Sequence, residues 1–353
     1  MALNTVSSER LSTNVKTSNL GTELKKKVGQ TKNLIINGAM LIAARATSST
    51  SSGYATIDRF QTGSGNIGQN VTQSQQSLSS SDTGPYEAGF RKYKRAQLAA
   101  AGNANANAFV EAATYTVEAQ DLANSGWDST SSSSKITLSF WFRCSTNQTF
   151  TLNLRSEDGT SRMFSTTFTA SANNTWTKIT KTIPGNTSPT VQIDDNNGAG
   201  LKIFWSAFYG TDFTDSGSTM DAWKTYSGSS QGTDMASTWL TAGASTFDIT
   251  GVQLELGSVA TDFEHRTEAE EALRCKRYYI SSTDFHHICV NNGESDRWIR
   301  FMVEMRDAPT VTTSPTNSVS FAAQNQTKHG FAGNGSGSSL ANFNMPWTAD
   351  AEI

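Results

Sequence analysis

Five aromatic residues between positions 205 and 239 are the side chains in this sequence best suited to hold a ligand: Trp205, Tyr209, Trp223, Tyr226 and Trp239. An indole or phenol ring offers a flat apolar face with a polar tip, and the C–H face of a sugar ring can stack on it. Trp223, Tyr226 and Trp239 stand in polar, Gly- and Ser-rich sequence, which predicts that they are exposed. Packing is the competing use. A β-sandwich core also consumes tryptophan, and Trp205 alternates with core-type residues.

Other chemistry is thinner. Glu111, Glu118, Glu255 and Glu264 are carboxylates that could pair for glycoside hydrolysis, but such pairs come from distant positions and carry no sequence signature. Glu255 stands between Leu254 and Leu256 and reads as solvent-facing. No GxSxG elbow is present. His286 and His287 are adjacent, so on a strand they point to opposite faces and cannot share a metal. His265 and His329 have no HxxxH spacing. Asp194, Asp195, Asn196 and Asn197 put oxygen donors in one loop without the spacing of an EF-hand. They read as a turn, with a structural cation as the alternative. Gly63, Gly65 and Gly68 fit GxGxxG, yet no helical pattern follows, so the stretch reads as a flexible loop. Arg91, Lys92, Lys94 and Arg95 surround Tyr93 and read as a charged edge strand, with contact to an anionic polymer as the alternative. Neither a metal nor a cofactor is expected, and no catalytic residue is assigned.

The elements that must position these groups are strands. The 353-residue chain is 17% charged, below the roughly 25% of ordinary soluble chains, and Ser, Thr, Asn and Gly fill the difference. With hydrophobic residues at 36% the chain can build a core. A net charge of −3 gives no reason to expect a nucleic-acid partner. Cys144, Cys275 and Cys289 are odd in number and far apart, so they read as buried free thiols suited to a reducing cytosol. Met1 to Arg10 lacks the apolar region of a signal peptide, and no run of about 18 apolar residues is present to span a membrane. Export within a particle released by lysis fits both.

Residues 1–32 carry Leu20, Leu24 and Val28 at helical spacing, a narrow stripe that predicts docking on trimer mates or on another protein. Leu34 to Ile36 reads as a short buried strand. In 135–144, Ile136, Leu138, Phe140, Phe142 and Cys144 share one face, and Thr137, Ser139, Trp141 and Arg143 share the other. Phe150, Leu152 and Leu154 alternate likewise. Leu201, Ile203, Trp205 and Ala207 alternate against Lys202, Phe204, Ser206 and Phe208, so both faces there are partly apolar. Phe247 and Ile249 have one parity and Val252, Leu254 and Leu256 the other. A β-bulge at Gly251 would keep both groups on the core. Thr267 to Glu270 is a capping box that opens a helix along Ala269, Ala272, Leu273 and Cys275. Ile299, Phe301, Val303 and Met305 alternate in a last strand. The expected architecture is all-β: an antiparallel sandwich over 33–266, a helical linker over 267–280 and a small β domain over 281–353.

Several stretches resemble one family. "NLIINGAM" at Asn33–Met40, "DRF" at Asp58–Phe60, "ITGVQLELGSVATDFEHR" at Ile249–Arg266 and "ALRCKRYY" at Ala272–Tyr279 occur in this order in many phage tail proteins. "KITLSFWFR", "NTWTKITKTIPG", "NNGAGLKIFW" and the closing "WTADAEI" are similar as well. The resemblance implies a jelly-roll sandwich like that of carbohydrate-binding modules, carried on tail fibres, with no shared catalytic residue. It implies a non-enzymatic virion protein of the tail, assembled in the host cytoplasm and trimeric. Its expected partners are other virion proteins through residues 1–32 and host-surface glycan. A head decoration or neck protein without receptor role, and a polysaccharide-cleaving tailspike-like enzyme, are the alternatives.

Overall fold

The computed structural model describes residues 32–283, 295–314, 320–336 and 346–353. The expected helix of 1–31, together with His286, His287 and Cys289, lies outside them.

In chain order the first strands are β1 (Ser48–Ser49), β2 (Phe60–Gly65), β3 (Val71–Ser77), β4 (Lys92–Leu98), β5 (Phe109–Glu118) and β6 (Lys135–Cys144). They are followed by β7 (Phe150–Ser156), β8 (Arg162–Phe168), β9 (Thr177–Pro184), β10 (Ala199–Tyr209), β11 (Trp223–Thr225) and β12 (Thr246–Leu256). Short helices α1 (Ala119–Ala123) and α2 (Thr238–Thr241) cap the ends of strands, and α3 (Glu268–Cys275) follows the sandwich. Two six-stranded antiparallel sheets result, ordered β1-β3-β4-β12-β6-β9 and β11-β8-β7-β10-β5-β2. Take β4 to β10 and β12 as a series. One sheet then holds its first, last, third and sixth strands, and the other its fifth, fourth, seventh and second. That alternation of strands between two facing sheets is the jelly roll.

The core follows from period-two alternation. Ile136, Leu138, Phe140, Phe142 and Cys144 are fully buried, as are Phe150, Leu152 and Leu154 on the facing sheet. Phe142, Phe150, Phe168 and Phe247 meet edge-on or tilted, with Phe142 and Phe247 centroids 4.7 Å apart. This is the arrangement that ring quadrupoles favour. The pairing of β12 with β6 shifts register between Thr250 and Gln253, and Gly251 there has φ +62°. The bulge puts Phe247 and Ile249 on one side of it, and Val252 and Leu254 on the other, into the same core.

Some expectations differ from the structure. Leu34 to Ile36 joins no strand ladder. Leu34 N still donates to Leu254 O of β12 (2.9 Å), and Asn33 adds two bonds by its side chain, donating from Nδ2 to Val252 O (3.1 Å) and accepting at Oδ1 from Leu254 N (3.1 Å). Backbone and amide side chain together tie this segment to β12. Gly63 and Gly65 lie in β2 rather than in a loop, because β5 pairs with them. β4 is not an edge: β3 and β12 flank it. The capping box at α3 is present, with Thr267 N donating to Glu270 Oε2 at 2.8 Å. Its buried face, however, carries Glu271 and Cys275, while Leu273 is exposed.

The C-terminal part has its own small core of Ile280, Ile299, Phe301, Met305, Phe331, Trp347 and Ala349. Its strands are β13 (Tyr279–Ser282), β14 (Ser295–Arg300), β15 (Thr310–Thr313), β16 (Ser320–Thr327), β17 (Gly330–Ser336) and β18 (Trp347–Asp350). They form sheets β13-β18-β15 and β14-β17-β16. The expected strand over 299–305 ends at Arg300, yet Phe301 and Met305 still reach the core.

The chain end then returns to the sandwich. Arg45 pairs with Asp58 (3.0 Å) and Asp350 (2.8 Å), and buried Arg59 pairs with Glu352 and lies 3.5 Å from the centre of the Tyr278 ring. Asn37 N donates to Glu271 Oε2 (2.6 Å) and Asn37 Nδ2 to Asp58 O (3.0 Å). Arg266 binds Glu264 and Glu271. The blocks at Asn33–Met40, Asp58–Phe60, Ile249–Arg266 and Ala272–Tyr279 and the closing residues therefore meet in one largely buried polar network. Each buried charge there has an opposite partner, as burial requires.

Candidate functional site

The outward face of the sheet β11-β8-β7-β10-β5-β2 is built by register. Opposite pairs align Thr116, Lys202, Arg155, Met163 and Lys224 in one outward row. The next row is Thr114, Phe204, Asn153 and Ser165. A third carries Glu111, Ser206, Thr151 and Thr167. The inward rows fall between them, and one is Tyr115, Ile203, Leu154, Phe164 and Trp223.

This register decides the fate of the five aromatic candidates. Trp205 and Trp223 point inward and are 0% and 5% exposed. Trp223 is further fixed by donating from Nε1 to Pro184 O at 2.6 Å. Trp239, on α2, is also fully buried, its ring edge-on to Phe247 and its Nε1 donating to Thr246 O at 2.9 Å. The expectation that Trp223 and Trp239 are exposed is therefore corrected. Polar neighbours in sequence did not keep them outside, because each indole has both an apolar pocket and a carbonyl for its N–H.

Tyr209 and Tyr226 come instead to the outward face. Tyr209 Oη donates to Glu111 Oε1 at 2.8 Å, and Thr114 Oγ1 donates to Glu111 Oε2 at 3.3 Å. Burial pushes the Glu111 carboxyl up from its usual range against the pull of these hydrogen bonds. Burial and the neighbouring carboxylate both push the Tyr209 phenol well up. Tyr226 is half-buried, and the Arg155 guanidinium lies 4.7 Å from its ring centre and 5.2 Å from that of Phe204. Lys202 Nζ is 5.7 Å from the Phe204 centre. Both are cation–π distances. Arg155 Nε also donates to Glu157 at 2.7 Å. Between these groups, Asn153 is fully buried, and neither its amide oxygen nor its nitrogen has a hydrogen-bond partner. Phe204 and Tyr209 are themselves buried, so the face presents the half-buried Tyr226 ring, a guanidinium, an ammonium and a recessed carboxyl above them. That set can hydrogen-bond a polyol while the Tyr226 ring packs on it.

No family model matches the chain. No curated protein sequence matches it either. Among solved structures, the chain is similar to the enzymatically active domain of tailspike protein 4 of bacteriophage CBA120. That match has 11% identity and TM-score 0.34, over 64% of this chain and 21% of that one. A putative sugar-binding protein of Bacteroides thetaiotaomicron is similar at 10% identity and TM-score 0.32, over 64% of this chain and all of that one. The family 11 carbohydrate-binding module of Clostridium thermocellum is similar at 9% identity and TM-score 0.28, over 62% and 98%. The chain spans about a fifth of the tailspike domain's length.

The remaining candidates have structural work. Glu255 is buried rather than solvent-facing, because Thr261 folds over it and donates from N and Oγ1 at 2.7 Å each. Glu118 accepts from Tyr278 Oη and from Arg277 at 2.9 Å. Glu264 accepts from Asn33 N at 2.6 Å. In the basic run, Arg95 makes two bonds to Asp248 (2.8 and 2.9 Å), and Lys94 is buried with Gln73 Oε1 at 3.2 Å. Asn197 of the acidic loop exchanges bonds with the Arg306 backbone and side chain. Among the described residues, no group of His, Cys, Asp or Glu is arranged to hold a metal. Cys144 and Cys275 are buried free thiols, and burial raises the former's pKa to about 12.

Sequence reasoning missed Phe204, Lys202, Arg155 and Asn153 as partners of Tyr209 and Tyr226. The available signal was the double apolar alternation of 201–208, which marks a strand whose outer face is also in use.

Proposed function

We propose that the chain is a non-enzymatic structural protein of a phage tail fibre or similar appendage, and that it holds host-surface glycan on the outward face around Tyr226. The observation that carries this reading is the cluster of Tyr226, Arg155, Phe204, Lys202 and Glu111 on one sheet face, with the Asn153 amide unpaired among them. A partly open ring, that of Tyr226, beside hydrogen-bonding groups of both charges suits a polyhydroxyl ligand. The resemblance to phage tail proteins supplies the setting on a particle. One of its sequence blocks, "NNGAGLKIFW", supplies Lys202 and Phe204 of this face, whereas Tyr226 and Arg155 lie outside the blocks.

Tyr226 is half-buried and its ring supports no core contact, so Tyr226→Ala should fold. Together with Arg155→Ala it should weaken adsorption to host cells, or binding to host polysaccharide, by at least about tenfold, the scale of a lost aromatic contact. Unchanged binding in the folded double variant removes the reading. New reducing ends on incubation with polysaccharide would favour the tailspike-like alternative.

The working form in this reading is a homotrimer joined or docked through residues 1–32. Trp298 and Met302 of the small C-terminal unit are 48% and 80% exposed, and Leu273 of α3 is 55% exposed; such apolar surface suits a shared interface. Mass measurement on the full chain and on one lacking residues 1–32 checks this. A monomeric full chain at micromolar concentration, present once per site on the particle, refutes the trimer.

A further inference from the structure

On the opposite sheet, the outward face of β6 carries Trp141, half-buried, with Lys178 of β9 paired beside it and Thr250 of β12 on its other side. A cleft of about 250 Å³ opens here. Its floor is aromatic: Phe90, Phe263 and His265 meet with centroids 4.8 to 5.0 Å apart. His265 is held by Nε2 at 2.9 Å from Ala88 O. Two glycine backbones lie against Trp141, Gly84 at its six-membered ring and Gly251 at its pyrrole edge. A Cβ at Gly84 would stand 2.6 Å from Trp141 Cζ3, and one at Gly251 would stand 3.1 Å from Trp141 Cδ1 and 2.6 Å from Phe90 Cζ. The indole is therefore fixed before any ligand arrives, and the bulge that completes the core also opens this cleft. Its polar lining includes Lys178 and Asp262, both exposed, with Ser139 and Thr261, whose hydroxyl already donates to Glu255.

We propose that this cleft is a second ligand site, which takes a single neutral pyranose ring, the end of a saccharide chain. The indole supplies the stacking face, and Asp262 and Lys178 supply an acceptor and a donor for vicinal hydroxyls. The volume is below the roughly 300–1,000 Å³ of pockets that enclose drug-sized ligands, which suits one ring with the rest of a chain outside. Preorganised rings at such a site lower the ordering cost of binding. The site lies on the other sheet from the Tyr226 face, so each can fail without the other.

The test is titration of the full chain with a panel of neutral hexoses and N-acetylhexosamines, read by the Trp141 indole N–H resonance and, for the Trp141 variants, by calorimetry. One member should give a saturable shift. Asp262→Ala and Lys178→Ala, both at exposed positions, should each weaken that binding at least about tenfold, and Trp141→Phe should weaken it less than Trp141→Ala. Tyr226→Ala should leave it unchanged. The proposal is overturned if no hexose shifts the resonance, if Asp262→Ala and Lys178→Ala bind as the parent does, or if Tyr226→Ala abolishes the shift.

Discussion

At the scale of single residues, Lys94 is where burial has the plainest consequence. It is 1% exposed in an interior strand, with one hydrogen bond to Gln73 Oε1 and no carboxylate beside it. Burial lowers its pKa from the ordinary 10.5 to about 7. The unfolded chain keeps the ordinary value, so above pH 7 it binds more protons at this position than the folded chain. Stability contributed by Lys94 therefore rises with pH from about 7 to about 10.5 and is lowest below that window. Lys94→Met should remove this rise and increase the thermal midpoint at neutral pH. Melting curves between about pH 6 and 9 check it; equal slopes for parent and variant would falsify the claim. The neighbouring Arg95 shows the contrast: its two bonds to Asp248 raise its pKa.

At the scale of elements, β12 depends on one glycine. Gly251 has a positive φ and lies against Phe90 and Trp141, whereas Gly243 also has a positive φ (+103°) but has no atom within 4 Å of a built Cβ. Alanine at either position meets backbone strain of order 1–3 kcal/mol. Alanine at Gly251 must in addition displace an aromatic ring on one side of the ladder. Gly251→Ala should thus destabilise clearly more than Gly243→Ala in urea unfolding, and it should perturb Trp141 fluorescence where the other does not. Equal losses for the two variants would show that the bulge is not held by packing.

At the scale of the whole molecule, the end of the chain closes the structure. Glu352 meets Arg59 and Arg45, and Tyr54 Oη donates to Ile353 O at 2.9 Å. Arg59 is fully buried and, among the described residues, meets the Thr116 carbonyl and the Tyr278 and Tyr115 rings besides Glu352, its paired carboxylate. Removing one partner of a buried pair costs about 3–5 kcal/mol, because the other charge stays buried without its counterion. Glu352→Ala should lower stability on that scale, and Glu352→Gln by less. Chemical denaturation measures both, and a loss under about 1 kcal/mol for Glu352→Ala would mean that the pair behaves as a surface contact. The loss should appear in the sandwich as well as in the C-terminal sheets, since Arg45 and Arg59 belong to the former.

Local periodicity already determined much of this protein. The inward face of β6, the alternation of β7 and β10, the parity switch at Gly251 and the cap of α3 all follow from side chains alternating across a strand or repeating along a helix. These are contacts between residues a few positions apart, so the sequence carries them whole. Alternation also assigns each residue to one of two sheet faces. It does not say whether that face is covered, and this is what the tertiary structure decided. Glu255 lies opposite its leucine neighbours as the pattern requires, but Thr261 folds over it. Trp223 entered the core because β11 pairs with β8 opposite Phe164, and Trp239 because α2 closes the end of the sandwich. Tyr226 and Trp141 stayed partly open because no segment among the described residues covers them completely. Exposure is set by chain passing from far away in sequence, and no local pattern encodes it.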